Sequence, residues 1–136
     1  MPVRVQDLGR AIKQVQDRHH RTLDARLADV GSTLVQWDAL RAISRAPGAS
    51  AHDLAQATFQ SDQAFGTLGN RLVAQELIER RPGHGRRIEH HITRAGEATL
   101  AACNPIANDV LAASLAPLAE HERATLLELL QRILGP

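Results

Sequence analysis

The chain has 136 residues, 43% of them hydrophobic and 23% charged, the profile of an ordinary folded domain and not of a disordered or fibrous chain. No apolar run approaches the ~20 residues a membrane span needs. The start of the chain is charged early and does not read as a signal peptide. The single cysteine, Cys103, has no partner for an intramolecular disulfide, so the expected setting is cytoplasmic. With only Trp37, Phe59 and Phe65 as aromatics, a surface that binds single strands by base stacking is disfavoured. A net charge of +1 confines any duplex-binding role to local patches.

From about Gln6 to Val30, Leu8, Ile12, Val15, His19, Leu23 and Leu27 recur at steps of three and four, which predicts one continuous amphipathic helix. Gly31-Ser32 ends it. Thr33-Leu34-Val35-Gln36 has the form of a capping box and opens a helix with Leu34, Trp37, Leu40 and Ile43 inward. Pro47-Gly48 stops that helix. Ser50 caps a short helix with Leu54 and Ala57 inward, and Thr58-Phe59-Gln60 is a turn. Ser61 caps a further helix, predicted to run to about Leu77, with Phe65, Leu68 and Leu72 inward.

Ile78–Arg81 and Arg86–Ile92 then flank Pro82-Gly83-His84-Gly85, the pattern of a hairpin with a glycine-rich tip. His90, between Ile88 and Ile92 on one strand face, is expected to be partly buried. Thr93 caps a long helix through Leu100, Cys103, Val110 and Leu111, which Pro105 is expected to kink or interrupt. Pro117 marks a second break before a last helix carrying Leu126, Leu127, Leu130, Ile133 and Leu134. The fold class is therefore mainly α with one small β-hairpin. No internal repeat or low-complexity segment is visible.

A short helix, a tight turn and a second helix form a helix-turn-helix. The helix after Ser61 has a buried face and an open one, and the open one carries Gln63, Thr67, Asn70 and Arg71. Gln and Asn can bond adenine in pairs of hydrogen bonds, and Arg can bond guanine or phosphate. Ser50 and Ser61 stand at helix N-termini, whose N–H groups favour phosphate oxygens. The hairpin supplies charge: Ile78 to Arg94 holds five arginines and two glutamates, and His84, Arg86 and Arg87 sit at or beside its tip. Such a basic hairpin is a wing suited to the minor groove or the backbone beside a recognition helix.

Gln36–Ile43, Pro47–Ser50, Leu54-Ala55, Asn70–Val73, Leu77–Pro82, Ile92–Gly96 and Glu122–Leu130 together resemble the MarR family of winged helix-turn-helix regulators over nearly the whole chain. The resemblance implies a homodimer in which the first and the last two helices intertwine. Residues 1–32 and 93–136 would form that dimerisation region, and residues 33–92 the DNA-binding domain. It implies a pseudo-palindromic operator in double-stranded DNA and repression relieved by a small aromatic acid or phenol, or by thiol oxidation. The chain departs from the family pattern in its wing, where Gly85 stands in place of an Asp before Arg86-Arg87, and at Glu76, where a glycine is usual. Gly66 and Gly69 within the recognition helix are also unusual.

His19 interrupts the apolar stripe of the first helix. It reads either as a packed residue or, with Trp37, as part of the effector pocket that the resemblance implies. The seven histidines show no spacing that completes a metal site, so no metal or other cofactor is expected. Cys103 reads as a small buried residue, and the first helix lacks the cysteine of the family's peroxide sensors. No nucleophile elbow, phosphate loop or paired carboxylates suggest an enzyme. A second reading is a ligand-binding or protein-interaction dimer with weak DNA binding, because residues 50–77 carry one arginine against three acids.

Overall fold

Four hydroxyl side chains set where helices begin in the computed structural model, which describes residues 1–136. Thr33, Ser50, Ser61 and Thr93 each accept a hydrogen bond from the backbone N–H three residues on, at 3.0–3.2 Å. They open α2 (Leu34–Arg45), α3 (Ala51–Ala57), α4 (Asp62–Ala74) and α5 (Arg94–Leu115). Before them runs α1 (Val5–Leu27), after them α6 (Glu120–Leu134), and between α4 and α5 lie β1 (Ile78–Pro82) and β2 (Ile88–Ile92). The strands pair antiparallel, with Ile78 opposite Ile92 and Arg80 opposite His90. The fold is mainly α with a β-hairpin, as the residue pattern predicts.

Several details differ from the pattern. α1 ends at Leu27 and closes in a 3-10 turn, Ala28–Val30, before Gly31 takes positive φ. Only half of the predicted capping box forms, because the Gln36 amide turns away from Thr33 to donate to Gln75 Oε1. Ala57 is exposed; Leu54 and Ala55 supply the inward face of α3. α4 stops at Ala74, since Glu76 adopts φ 62° and the Leu77 N–H returns to the Leu72 carbonyl. β2 starts at Ile88, so Arg86 and Arg87 belong to the turn and not to the strand. His90 is fully buried. Pro105 does not interrupt α5: it removes one bond to the Ala101 carbonyl, and Cys103, Ala107 and Val110 pack the helix on both sides of it.

The core has two parts. One joins α2, α3, α4 and β1 around Leu40, Ile43, Leu54, Phe65, Leu72 and Ile78. The other lies where α1, α2 and α5 meet, around Leu23, Leu27, Trp37, Cys103, Ala107 and Val110. α1 and α6 leave an apolar face open: Leu8, Ile12, Val15, Leu126, Leu127 and Ile133 are all exposed.

Gly96 fixes the hairpin to α5. A Cβ there would lie 2.0 Å from the Leu77 carbonyl oxygen and 2.7 Å from Ile92 Cγ1. Gly96→Ala is therefore expected to cost about 2–3 kcal/mol through overpacking. Gly66→Ala, with no atom within 4 Å of the new Cβ, should gain up to about 1 kcal/mol in helix propensity. Urea unfolding followed by Trp37 fluorescence reads both.

Candidate nucleic-acid interface

Burial of Phe65, Leu68 and Leu72 turns the opposite side of α4 outward. Gln63, Thr67, Asn70 and Arg71 are exposed there, as the sequence suggests. Thr67 Oγ1 donates to the Gln63 carbonyl at 3.2 Å, which leaves the methyl group outermost. Asn70 is not free: its Oδ1 accepts from Arg80 Nη1 at 2.7 Å. The hydroxyls of Ser50 and Ser61 cap their helices, so an anion arriving there would meet backbone N–H groups. Asp62, an unfavourable neighbour for phosphate, is answered by His52 of α3, whose Nδ1 lies 3.0 and 3.2 Å from the carboxylate oxygens.

The wing tip is a turn from His84 to Arg87, closed by the Arg87 N–H on the His84 carbonyl. Gly85 takes the positive φ of 61° that this turn requires. The two tip arginines part company. Arg87 points back, donating to the Gly48 carbonyl at 3.1 Å with Asp53 Oδ2 at 3.9 Å, and so braces the wing against the start of α3. Arg86 and His84 are exposed beside it. With Gly85 in place of an Asp before the arginines, Arg87 is anchored instead to the α2–α3 turn.

Beneath the surface, His90 joins the wing to the rest. Its Nδ1–H donates to the Ala49 carbonyl at 3.0 Å, which leaves Nε2 to accept from Arg80 Nε at 3.3 Å. The backbones of Ala49 and His90 also form a β-bridge, and Phe65 meets the imidazole edge to face at 6.3 Å. Burial pushes the His90 pKa below its ordinary 6.5, helped by the Arg80 and His91 charges and opposed by the bond to Ala49. At the hairpin surface, a hydrogen bond from His91 holds the Glu89 carboxyl below its usual range.

His52 does not stand out in the sequence, and Arg80 and Gly96 do so only as members of longer motif segments. For Arg80 a signal exists: it is two residues from buried Ile78, so strand alternation turns it to the inner face.

His19 and Trp37 do not line one cavity. His19 shares a 2.7 Å hydrogen bond with Ser114 Oγ and lines a groove of about 570 Å³ between α1 and α6, with His20, Arg123, Leu126 and Leu130. Trp37 is buried in the neighbouring core. Its Nε1 donates to Asn104 Oδ1 at 3.0 Å, and the Arg41 guanidinium stacks 4.3 Å from the ring centroid. Nearby, half-buried Asp38 has its pKa raised by burial, against the pull of Arg41 and His20. No three His, Cys, Asp or Glu side chains are grouped to hold a metal ion, and no helix is long and apolar enough to cross a membrane.

Comparison with known proteins fits this geometry. The model of the MarR family matches residues 30–88. The HTH-type transcriptional repressor NicR of Pseudomonas putida is 26% identical over 131 residues, spanning 95% of this chain and 83% of the relative. A cysteine-to-serine mutant of MarR from E. coli, solved in complex with operator DNA, superposes with a TM-score of 0.88 at 25% identity, covering 96% of each chain. The Mycobacterium tuberculosis MarR family protein Rv2887, solved in complex with salicylic acid, shares the fold, with a TM-score of 0.77 at 24% identity over 93% of this chain and 95% of that one.

The His90 site predicts a pH dependence. The imidazole is neutral in the fold and more basic in the unfolded chain, so its contribution to stability is complete above pH 6.5 and declines as pH falls below it. Between pH about 7.5 and 5.5, above the range where carboxylates titrate, the thermal midpoint should fall for the wild type. It should fall less for His90→Gln, which keeps a donor and an acceptor but does not titrate.

Proposed function

We propose that the chain is a winged helix-turn-helix transcription regulator of the MarR family, a dimeric repressor whose operator binding is relieved by a small aromatic carboxylate. The observation that carries the DNA-binding part is the arrangement of two exposed elements on one braced unit. His90 of the wing bonds to Ala49 of the α2–α3 turn and packs against Phe65 of α4, and Arg87 ties the wing tip to the same turn. Residues 33–92 therefore bind DNA as one body. Gln63, Thr67 and Arg71 enter the major groove, while His84 and Arg86 reach the adjacent minor groove or its phosphates. Ser50 and Ser61 present helix N-termini to the backbone. Arg87 positions the wing.

Residues 1–32 and 93–136 form the dimerisation region. Leu8, Ile12, Leu126 and Ile133 are exposed on one chain, and a two-fold copy buries them. That symmetry matches a pseudo-palindromic operator with half-sites about one helical turn apart. For the effector, the groove beside His19 shares Ile12 and Leu126 with the dimer face, so the partner copy roofs it, and the end carrying Arg123 and two imidazoles suits a ring bearing one carboxylate. NicR is named a repressor, and this supports the direction of regulation.

Titrating the protein against its own upstream DNA at several salt concentrations tests this reading. Arg86→Ala should weaken binding to all sequences and lower the slope of log affinity against log salt by roughly 0.9 for each phosphate that is no longer neutralised. Gln63→Ala should cost about 1–3 kcal/mol and relax discrimination at one operator position. A wild type that forms only weak, sequence-indifferent complexes favours the ligand-binding or protein-interaction reading. Sedimentation at micromolar concentration should give twice 14.8 kDa. Salicylate, the probe for the groove, should weaken DNA binding by the wild type and do so less for His19→Ala.

A further inference from the structure

Arg80 is the one arginine that joins the wing's first strand to the recognition helix. It leaves β1 on the face of buried Ile78 and crosses Gly69 of α4. Two of its nitrogens are held, Nε by His90 and Nη1 by Asn70. The third, Nη2, lies 2.7 Å from where a Cβ on residue 69 would stand, so the missing side chain of Gly69 is the slot the guanidinium occupies. Both hydrogen-bond partners are neutral: a buried imidazole that accepts, and an amide. The guanidinium is thus immobilised without a carboxylate to answer its charge, next to the reading face of α4.

Two consequences follow from this chemistry. An Asn that reads adenine offers its carbonyl oxygen and its NH₂ group together to N6 and N7. Asn70 has its oxygen committed to a cation, and a cation beside that oxygen disfavours the approach of the adenine N6 amino group. The position of Arg80 is equally restrictive. Gly69 lies on the buried side of α4 with Phe65 and Leu72, so Arg80 stands at the flank of the helix and not on its reading face. The flanks of a helix lying in the major groove face the backbone phosphates.

We propose that Arg80 holds a DNA phosphate at the flank of the recognition helix, and that Asn70 is its support and not a base reader. This rests on the DNA-binding reading above. It accounts for the two residues of the helix that touch the guanidinium: Gly69 makes room, and Asn70 anchors it without neutralising it. It gives Asn70 a different role from the adenine pairing that its residue type suggests.

The test is binding to the upstream DNA and to its single-base variants, measured by fluorescence anisotropy across a salt series. Arg80→Ala should lower the salt slope by roughly 0.9 per phosphate, which is roughly threefold in affinity between 50 and 200 mM salt. The rank order of the base variants should not change. Asn70→Ala should give a smaller loss with the same rank order, and the double variant should be no weaker than Arg80→Ala. Gly69→Ala separates binding from folding. It should leave the helical circular-dichroism spectrum and the dimer unchanged, the helix-propensity gain working against the lost Arg80 bonds, and yet weaken DNA binding, because the new methyl displaces Nη2.

An Asn70→Ala protein that loses discrimination at one A·T position would overturn the proposal, as would an Arg80→Ala protein with an unchanged salt slope while Arg86→Ala lowers it. A wild type that binds no DNA contradicts the underlying reading and this inference together.

Discussion

The imidazole of His90 is the joint on which the winged unit depends. Its backbone pairs with Ala49, its Nδ1 returns to the same residue's carbonyl, its Nε2 orients Arg80, and Phe65 closes over its ring. Ala49 belongs to the turn before the helix-turn-helix, Arg80 to the first strand of the hairpin, and Phe65 to the recognition helix. One buried residue therefore determines how three elements that are separate in sequence sit relative to one another. An imidazole can do this because it offers one donor and one acceptor on opposite sides of a flat ring, and both are used. Burying a polar ring without those partners would cost several kcal/mol.

Around this joint the molecule divides its charges by role. Arg87 is tied to protein groups and sets geometry, Arg80 is held by neutral partners that leave its charge unanswered, and Arg86 and Arg71 stand exposed. The acids of the helix-turn-helix are managed in the same way. Asp53 lies beside Arg87, and Asp62 is bonded by His52. Two of the three acids between residues 50 and 77 thus have partners that a local charge count sets aside, the wing arginine and the α3 histidine. What remains exposed on the reading face is neutral or basic. The groove beside His19 lies away from this face, along α1 and α6, but Leu34 at the start of α2 lines it and also packs against the Trp37 core. That residue is a physical link between the groove and the helix that leads into the winged unit.

Much of this is legible in the residues. The four N-caps, Thr33, Ser50, Ser61 and Thr93, mark the helix starts, because a hydroxyl before an apolar period has few other roles. Trp37 and Cys103 read correctly as buried. What the pattern misses are boundaries and cross-strand partners. Arg86 and Arg87 look like strand residues until the antiparallel register sets Pro82 against Ile88 and leaves both in the turn. The helix after Ser61 loses its last turn because Glu76 accepts a left-handed conformation that local sequence assigns to glycine. Asn70 looks free on the open face until Arg80, ten residues away, is folded over Gly69 and bonds to its oxygen. Each of these depends on packing between segments, and no window along the chain contains it.

The central claim is that the recognition helix and the wing tip engage duplex DNA together as one braced body, twice per dimer. Hydroxyl-radical footprinting of the protein on its own upstream region, with methylation interference on the same fragment, measures this directly. The account predicts two half-sites related by a dyad, each with major-groove purine interference flanked on its outer side by backbone protection where the wing lies. Major-groove interference without flanking protection, or a single footprint without symmetry, would contradict it.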